Sequence, residues 1–130
     1  MQISIQTLLA VGIGGFFGAI ARLYITSVCG VIFPSNLPYG TMIVNIGGSL
    51  IIGFLFAIFS LFPIPIYIKS FLTTGFLGAL TTYSTFAMET YFLLNTNITL
   101  AFLNILLNLV GTIVAAGFGY KLTLLLARFL

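Results

Sequence analysis

Gly78-Ala79-Leu80-Thr81-Thr82-Tyr83-Ser84-Thr85-Phe86-Ala87-Met88-Glu89-Thr90 is a dense run of hydroxyls and aromatic rings that holds the only acid of the chain. It stands inside sequence that otherwise reads as membrane. Gly75 and Gly78, with Thr81-Thr82 after them, are poor helix formers by propensity, so a membrane helix is expected to break here. A break frees backbone carbonyls, and carbonyls lining a protected cavity can coordinate a cation. Beyond the break Tyr83 and Phe86 share one helical face at a spacing that brings side chains together, with the hydroxyls of Ser84 and Thr85 beside them. Aromatic rings present a positive edge. An anion passing ring edges and hydroxyl donors, with no full positive charge to trap it, is held loosely enough to leave again. The competing reading is that the two rings only pack in a core or face lipid.

The surrounding composition sets the frame. The chain is 61% hydrophobic and 4% charged, with no histidine in 130 residues, which describes an integral membrane protein. A spanning helix needs about 20 mainly apolar residues, and such stretches run over about 6–28, 40–62, 67–94 and 98–127. Pro34-Ser35-Asn36-Leu37-Pro38, Phe62-Pro63-Ile64-Pro65 and Asn95-Thr96-Asn97 separate them with turn chemistry. The expected fold is therefore all-α, a single transmembrane domain over 1–130 with four helices, the third broken at mid-membrane. Met1-Gln2-Ile3-Ser4-Ile5-Gln6 lacks the basic start of a cleavable signal, so the first helix is expected to stay.

Composition also excludes function classes. Cys29 is the single cysteine and cannot form an intrachain disulfide, and no Cys or His cluster offers a zinc or iron site. The cations Arg22, Lys69, Lys121 and Arg128 are too dispersed for a nucleic-acid footprint. No nucleophile with a base is visible, and Glu89 has no second carboxylate or histidine to work with, so the chain is not expected to be an enzyme. With four helices both termini share one face of the membrane, which places Lys69, Lys121 and Arg128 near that face and Arg22 toward the other. The positive-inside rule then favours cytoplasmic termini, on a thin bias.

Each remaining polar group has a structural reading and a functional one. The glycines of Gly14-Gly15-Phe16-Phe17-Gly18-Ala19 and Gly47-Gly48-Ser49 let helices approach closely, as small-xxx-small patterns do in membranes. Arg22 either snorkels to the headgroups or keeps a positive potential at the mouth of an anion path. Glu89 lies toward the same face, so the two can pair or share a polar network. Asn45, in Gly40-Thr41-Met42-Ile43-Val44-Asn45-Ile46-Gly47-Gly48, either bridges two helices, at about 0.6 kcal/mol, or donates to an anion. Thr41 lies one turn before it on the same face. Asn104, Asn108 and Thr112 recur every fourth residue, a polar stripe that must face protein or a water-filled pore rather than lipid.

Three motifs taken together identify a family. Gly14-Gly15-Phe16-Phe17-Gly18-Ala19-Ile20-Ala21-Arg22, then Gly40-Thr41-Met42-Ile43-Val44-Asn45 with Gly48 and Gly53, then Gly75-Phe76-Leu77-Gly78-Ala79-Leu80-Thr81-Thr82-Tyr83-Ser84-Thr85-Phe86 with Glu89, resemble the Fluc (CrcB-type) fluoride channels. The resemblance implies a passive fluoride exporter of the cell's inner (plasma) membrane that relieves fluoride toxicity. It implies a dual-topology homodimer of antiparallel subunits with two pores, which suits the thin charge bias. By position, Asn45 matches the family's pore asparagine beside the aromatic pair Tyr83 and Phe86. Ser84, Thr85 and Glu89 match the polar side of the same helix, and Arg22 and Thr41 match residues near the pore entrance and its polar wall. Asn108 and Thr112 fall on the pore face of the fourth helix. Gly78 and Thr81 match the break whose backbone carbonyls hold a structural sodium ion at the dimer centre.

The chain departs from the pattern in three places. Tyr83 stands where the family usually has phenylalanine, Asn104 and Asn108 stand in place of tyrosine and serine, and Ala79 replaces a common glycine. A small multidrug-type proton-coupled exporter is similar in size but uses a glutamate in the first helix, which this chain lacks. A membrane subunit that packs against a larger partner is the other class of reading.

Overall fold

The computed structural model describes residues 3–129, and every regular element among them is helical. The three long helices are α1 (Ile5–Ile32), α2 (Tyr39–Leu61) and α6 (Ile98–Leu126), close to the limits expected from hydropathy. These three are long and apolar enough to cross a membrane. Their ends follow from local chemistry: Ser4 caps α1 by accepting from Thr7 N–H at 3.2 Å, and Asn97 caps α6 by accepting from Leu100 N–H at 3.1 Å. Pro38 precedes α2, where a missing N–H costs no helical hydrogen bond.

The third expected span is in pieces. It comprises α3 (Ile66–Ser70), a π-helical turn (Phe71–Leu77), α4 (Gly78–Leu80) and α5 (Tyr83–Thr96). Helical geometry lapses at Thr81 and Thr82, whose φ/ψ of −79°/155° and −149°/111° are extended. Gly78 itself is helical, at −63°/−31°, so the lapse falls three residues later than the glycine. At a rise of about 1.5 Å per residue, α5 is about 21 Å long, short of a bilayer's hydrocarbon thickness of about 30 Å.

Two glycine seams set the packing. On one, α1 lies against the π-helical turn backbone to backbone: a Cβ at Gly75 would stand 2.7 Å from Val11 O, and one at Gly14 would stand 2.9 Å from Phe76 N. On the other, α2 meets α6, where a Cβ at Gly53 would stand 3.0 Å from Tyr120 N. Val44, Leu77 and Leu80 form the buried apolar centre between α2 and the segmented helix, with Ile25, Ile52 and Phe76 packed on it. Ile13, Phe16, Ile113, Val114 and Phe118 point outward. Of the apolar window of α1 only 11% is buried within the chain, so its surface is matched to lipid or to another protein rather than to water.

Candidate functional site

The lapse at Thr81-Thr82 is held by a clasp from α2. Asn45 Nδ2 donates to Thr82 O at 3.1 Å, and Thr82 N–H donates to Asn45 Oδ1 at 2.8 Å. An amide side chain thus pairs with a backbone amide as a neighbouring strand would, which satisfies both Thr82 groups without a helical partner. The second Asn45 proton goes to Asn108 Oδ1 at 3.0 Å, so both of its donors are engaged by protein. Of the two readings open from sequence, bridging helices is the one this arrangement displays.

The clasp also redirects amides away from two carbonyls. In a continuous helix Thr82 N–H would close a turn on Gly78 O and Thr85 N–H would close one on Thr81 O. Instead Thr82 N–H goes to Asn45 Oδ1, and Thr85 N–H goes to Thr82 Oγ1 at 3.3 Å. That second bond is the N-cap of α5. Thr82 Oγ1 in turn donates to Thr85 Oγ1 at 2.9 Å and stands 3.5 Å from Ser84 Oγ. Ser84 and Thr85 therefore belong to the capping cluster.

A cavity of about 260 Å³ opens beside the clasp. Asn45, Gly78, Thr81, Tyr83, Phe86, Asn108 and Thr112, all named from sequence, line it together with Thr82, Ser49 and Thr73. Its lining residues include no cation and no acid. Tyr83 and Phe86 meet edge to face, centroids 5.5 Å apart at 62°; Phe86 is 6% exposed and Tyr83 74%. The buried ring is thus fixed by packing and the exposed one stands at the open side. Gly48 packs closely against Thr81, and a Cβ there would force the threonine methyl to shift.

Thr41, Glu89 and Arg22 lie elsewhere. Thr41, 2% exposed, donates from Oγ1 to Glu89 Oε1 at 2.8 Å, while Glu89 Oε2 is buried without a partner among the described residues. Glu89 is shared by two further cavities, of about 240 and 440 Å³, at the end of α1 and beside Asn36 and Thr96. Arg22 lines neither. The partner that Glu89 bonds is the Thr41 hydroxyl, in the first turn of α2, rather than Arg22. Lys69 does not line the polar cavity either; its Nζ stands 5.3 Å from the Phe59 ring centroid.

The stripe on α6 turns inward. Asn108 Nδ2 donates to Asn104 Oδ1 at 2.9 Å and approaches Asn104 O at 3.2 Å. Asn104 Nδ2 donates to Thr90 Oγ1 at 2.9 Å, and Thr90 Oγ1 donates to Phe86 O at 2.8 Å. Thr112 Oγ1 donates to Asn108 O at 2.6 Å. Sequence reasoning missed the parts played by Thr82 and Thr90. A threonine back-bonding to the carbonyl one turn earlier is a local rule and flags Thr90 on Phe86, but no spacing reveals that Asn104 would reach it.

Long apolar helices around a cavity lined by uncharged side chains define the class: a small multi-pass membrane protein. The sequence profile of the family described as CrcB-like protein, Camphor Resistance (CrcB), matches residues 9–120, and the chain belongs to that family. A Sulfurimonas denitrificans protein named fluoride-specific ion channel FluC is 49% identical over 125 residues, covering 95% of this chain and 97% of the relative. A Methanocaldococcus jannaschii protein of the same name is 47% identical, with 95% and 99% covered. One from a Nitratiruptor species is 51% identical over 109 residues, with 83% and 84% covered. The family and the apolar helices together place the chain in the cell membrane.

Proposed function

We propose that this protein is a fluoride-selective channel that lets fluoride leave the cell passively, down its gradient, and so relieves fluoride toxicity. The observation that carries the reading is the lining of the 260 Å³ cavity, where hydroxyls, side-chain amides and the edge-to-face pair of Tyr83 and Phe86 meet without a charged group. The fluoride-specific names of relatives near half identity over nearly the whole chain support it. Fluoride is small, tightly hydrated and a strong hydrogen-bond acceptor, so a selective path must replace its water with many short-range donors. Ser49 supplies a hydroxyl, those of Thr73, Thr81, Thr82 and Thr112 can turn to the ion from the protein acceptors they hold, and Phe86 supplies a ring edge. Weak, numerous contacts let the ion move from one to the next, whereas a lysine or arginine in the same place would hold it.

The working unit in this reading is an antiparallel, dual-topology homodimer with two pores and the helix break at mid-membrane. Exposed apolar faces on α1 and α6 and the open side of the cavity at Tyr83 support a second copy as the cover. Symmetry then presents every contact twice. Arg22 supplies positive potential at the entrance, and Thr41 with Glu89 forms part of the polar wall there.

A structural sodium ion at the dimer centre fits the donor set. Hard cations of this kind take oxygen ligands, and the carbonyls of Gly78 and Thr81 are those whose helical amides are diverted to Asn45 Oδ1 and Thr82 Oγ1. When bound, the ion would neutralise the converging carbonyl dipoles and join the two subunits.

Fluoride efflux from liposomes holding only the purified protein, read with fluoride and chloride electrodes in parallel, tests the reading. Rapid passive efflux of fluoride without chloride is expected. Absence of efflux from a folded, sodium-loaded dimer would overturn it and favour a subunit of a larger assembly.

A further inference from the structure

The hydrogen bonds from α2 through α6 to α5 form one directed chain. Thr82 N–H donates to Asn45 Oδ1, Asn45 Nδ2 to Asn108 Oδ1, Asn108 Nδ2 to Asn104 Oδ1, Asn104 Nδ2 to Thr90 Oγ1, and Thr90 Oγ1 to Phe86 O. The first group is a backbone amide, which can only donate, and the last a backbone carbonyl, which can only accept. Every amide between them therefore has one permitted orientation, since flipping any of the three would set N–H against N–H. Asn104 stands three links from the Thr82 amide and two from the Phe86 carbonyl. It is wholly buried, and it is not among the residues that line the polar cavity.

We propose that Asn104 is a positioning residue for the anion path: acting through Asn108 and Asn45 on one side and Thr90 on the other, it sets the helix lapse at Thr81-Thr82 and the seat of Phe86 as one unit. The inference rests on the channel reading above. Two links run from Asn104 to the Asn45 clasp and two to the Phe86 carbonyl, so a single buried amide joins both elements that the anion would meet. The stripe on α6 thereby divides in function. Thr112 lines the cavity with its hydroxyl bonded to Asn108 O, Asn108 both lines it and relays, and Asn104 only relays. Loss of the relay takes from Asn108 Nδ2 its Asn104 Oδ1 acceptor and from Thr90 Oγ1 its donor; Asn108 Nδ2 can then turn to another acceptor and take Asn45 with it, and Thr90 Oγ1, no longer fixed by Asn104, is free to rotate off Phe86 O.

The test uses the full-length protein in liposomes with fluoride efflux as the readout and size-exclusion elution as the check on assembly. Asn104→Leu and Thr90→Val each break the link to Phe86, and each is expected to slow efflux at least tenfold without changing elution. Because they break the same chain, the double variant is expected to lose no more than threefold beyond the slower single one. Asn104→Asp adds a readout that mere structural support would not move. In the neutral acid one oxygen donates to Thr90 Oγ1 while the other accepts from Asn108, whereas the carboxylate has no proton to give. Efflux through that variant, relative to wild type at each pH, is expected to recover as pH falls from 8 to 5.5. Glu89, on α5 beside Thr90 and bonded to Thr41, is the one native carboxyl side chain; Tyr39, Tyr83, Tyr91, Tyr120 and Lys121 are the other titratable side chains on α2, α5 and α6, and the wild-type reference removes the contribution of all of them. Should Asn104→Leu fail to assemble, Thr90→Val and Asn104→Asp decide the matter alone.

Unchanged efflux in both single variants, multiplied losses in the double variant, or a flat relative pH profile for Asn104→Asp would overturn the proposal. Wild-type liposomes that release no fluoride would overturn the channel reading and this role with it. Conducting wild type with unaffected variants would overturn this role alone.

Discussion

Replacing Asn45 by leucine, a side chain of similar volume, removes three hydrogen bonds at once: Thr82 N–H to Oδ1 at 2.8 Å, Nδ2 to Thr82 O at 3.1 Å and Nδ2 to Asn108 Oδ1 at 3.0 Å. Side-chain hydrogen bonds within membranes average about 0.6 kcal/mol and reach about 1.7, so the three together stabilise the native arrangement by about 2 to 5 kcal/mol. At about 1.4 kcal/mol per tenfold change, the low end already lowers the population of the clasped lapse more than tenfold. The released Thr82 N–H has an obvious alternative acceptor, Gly78 O one turn back. The variant is therefore expected to close the helix over the lapse and withdraw the Gly78 carbonyl. Two measurements check this: reversible unfolding in mixed micelles should show a loss of at least about 2 kcal/mol, and fluoride efflux should fall at least tenfold in protein that still elutes as assembled. If both quantities match wild type, the clasp does not hold the lapse.

Other expectations follow from the same geometry. Phe86→Ile together with Asn45→Asp should abolish fluoride flux while leaving the dimer assembled, and undiminished flux would remove the pore assignment. Thr82→Val loses the Oγ1 that caps α5 through Thr85 N–H, at about 1 kcal/mol, whereas Thr82→Ser should retain near-normal stability; equal stability of the two in unfolding titrations would contradict the cap. Gly75→Leu drives a side chain into Val11 O and should prevent recovery of folded protein, so normal yield and elution would show that α1 can back away. Exhaustive replacement of sodium by a bulky organic cation should reduce both assembly and flux, and no change in either would remove the sodium proposal.

Hydropathy and turn chemistry alone delimited the long helices, because burial in lipid is decided residue by residue and Pro38, Ser4 and Asn97 punctuate locally. The ring pair could also be read directly: Tyr83 and Phe86 lie three apart, and a helix brings such positions to one face whatever surrounds it. Poor helix propensity around Gly75–Thr82 marked where regular geometry would lapse, but not which residue would yield. The lapse fell on Thr81 and Thr82 rather than on Gly78, because the competing partner for a backbone amide came from α2. Partner choice was the part beyond reach of the sequence. Asn45 meets Thr82 across 37 residues and Asn108 across 63, and Glu89 chose Thr41 across 48 over the arginine that charge alone would have suggested. Periodicity says which residues share a face of their own helix, since that depends only on the helical repeat. Which face meets which neighbour depends on how closely the glycine seams let the helices approach, and only the packed structure decides it.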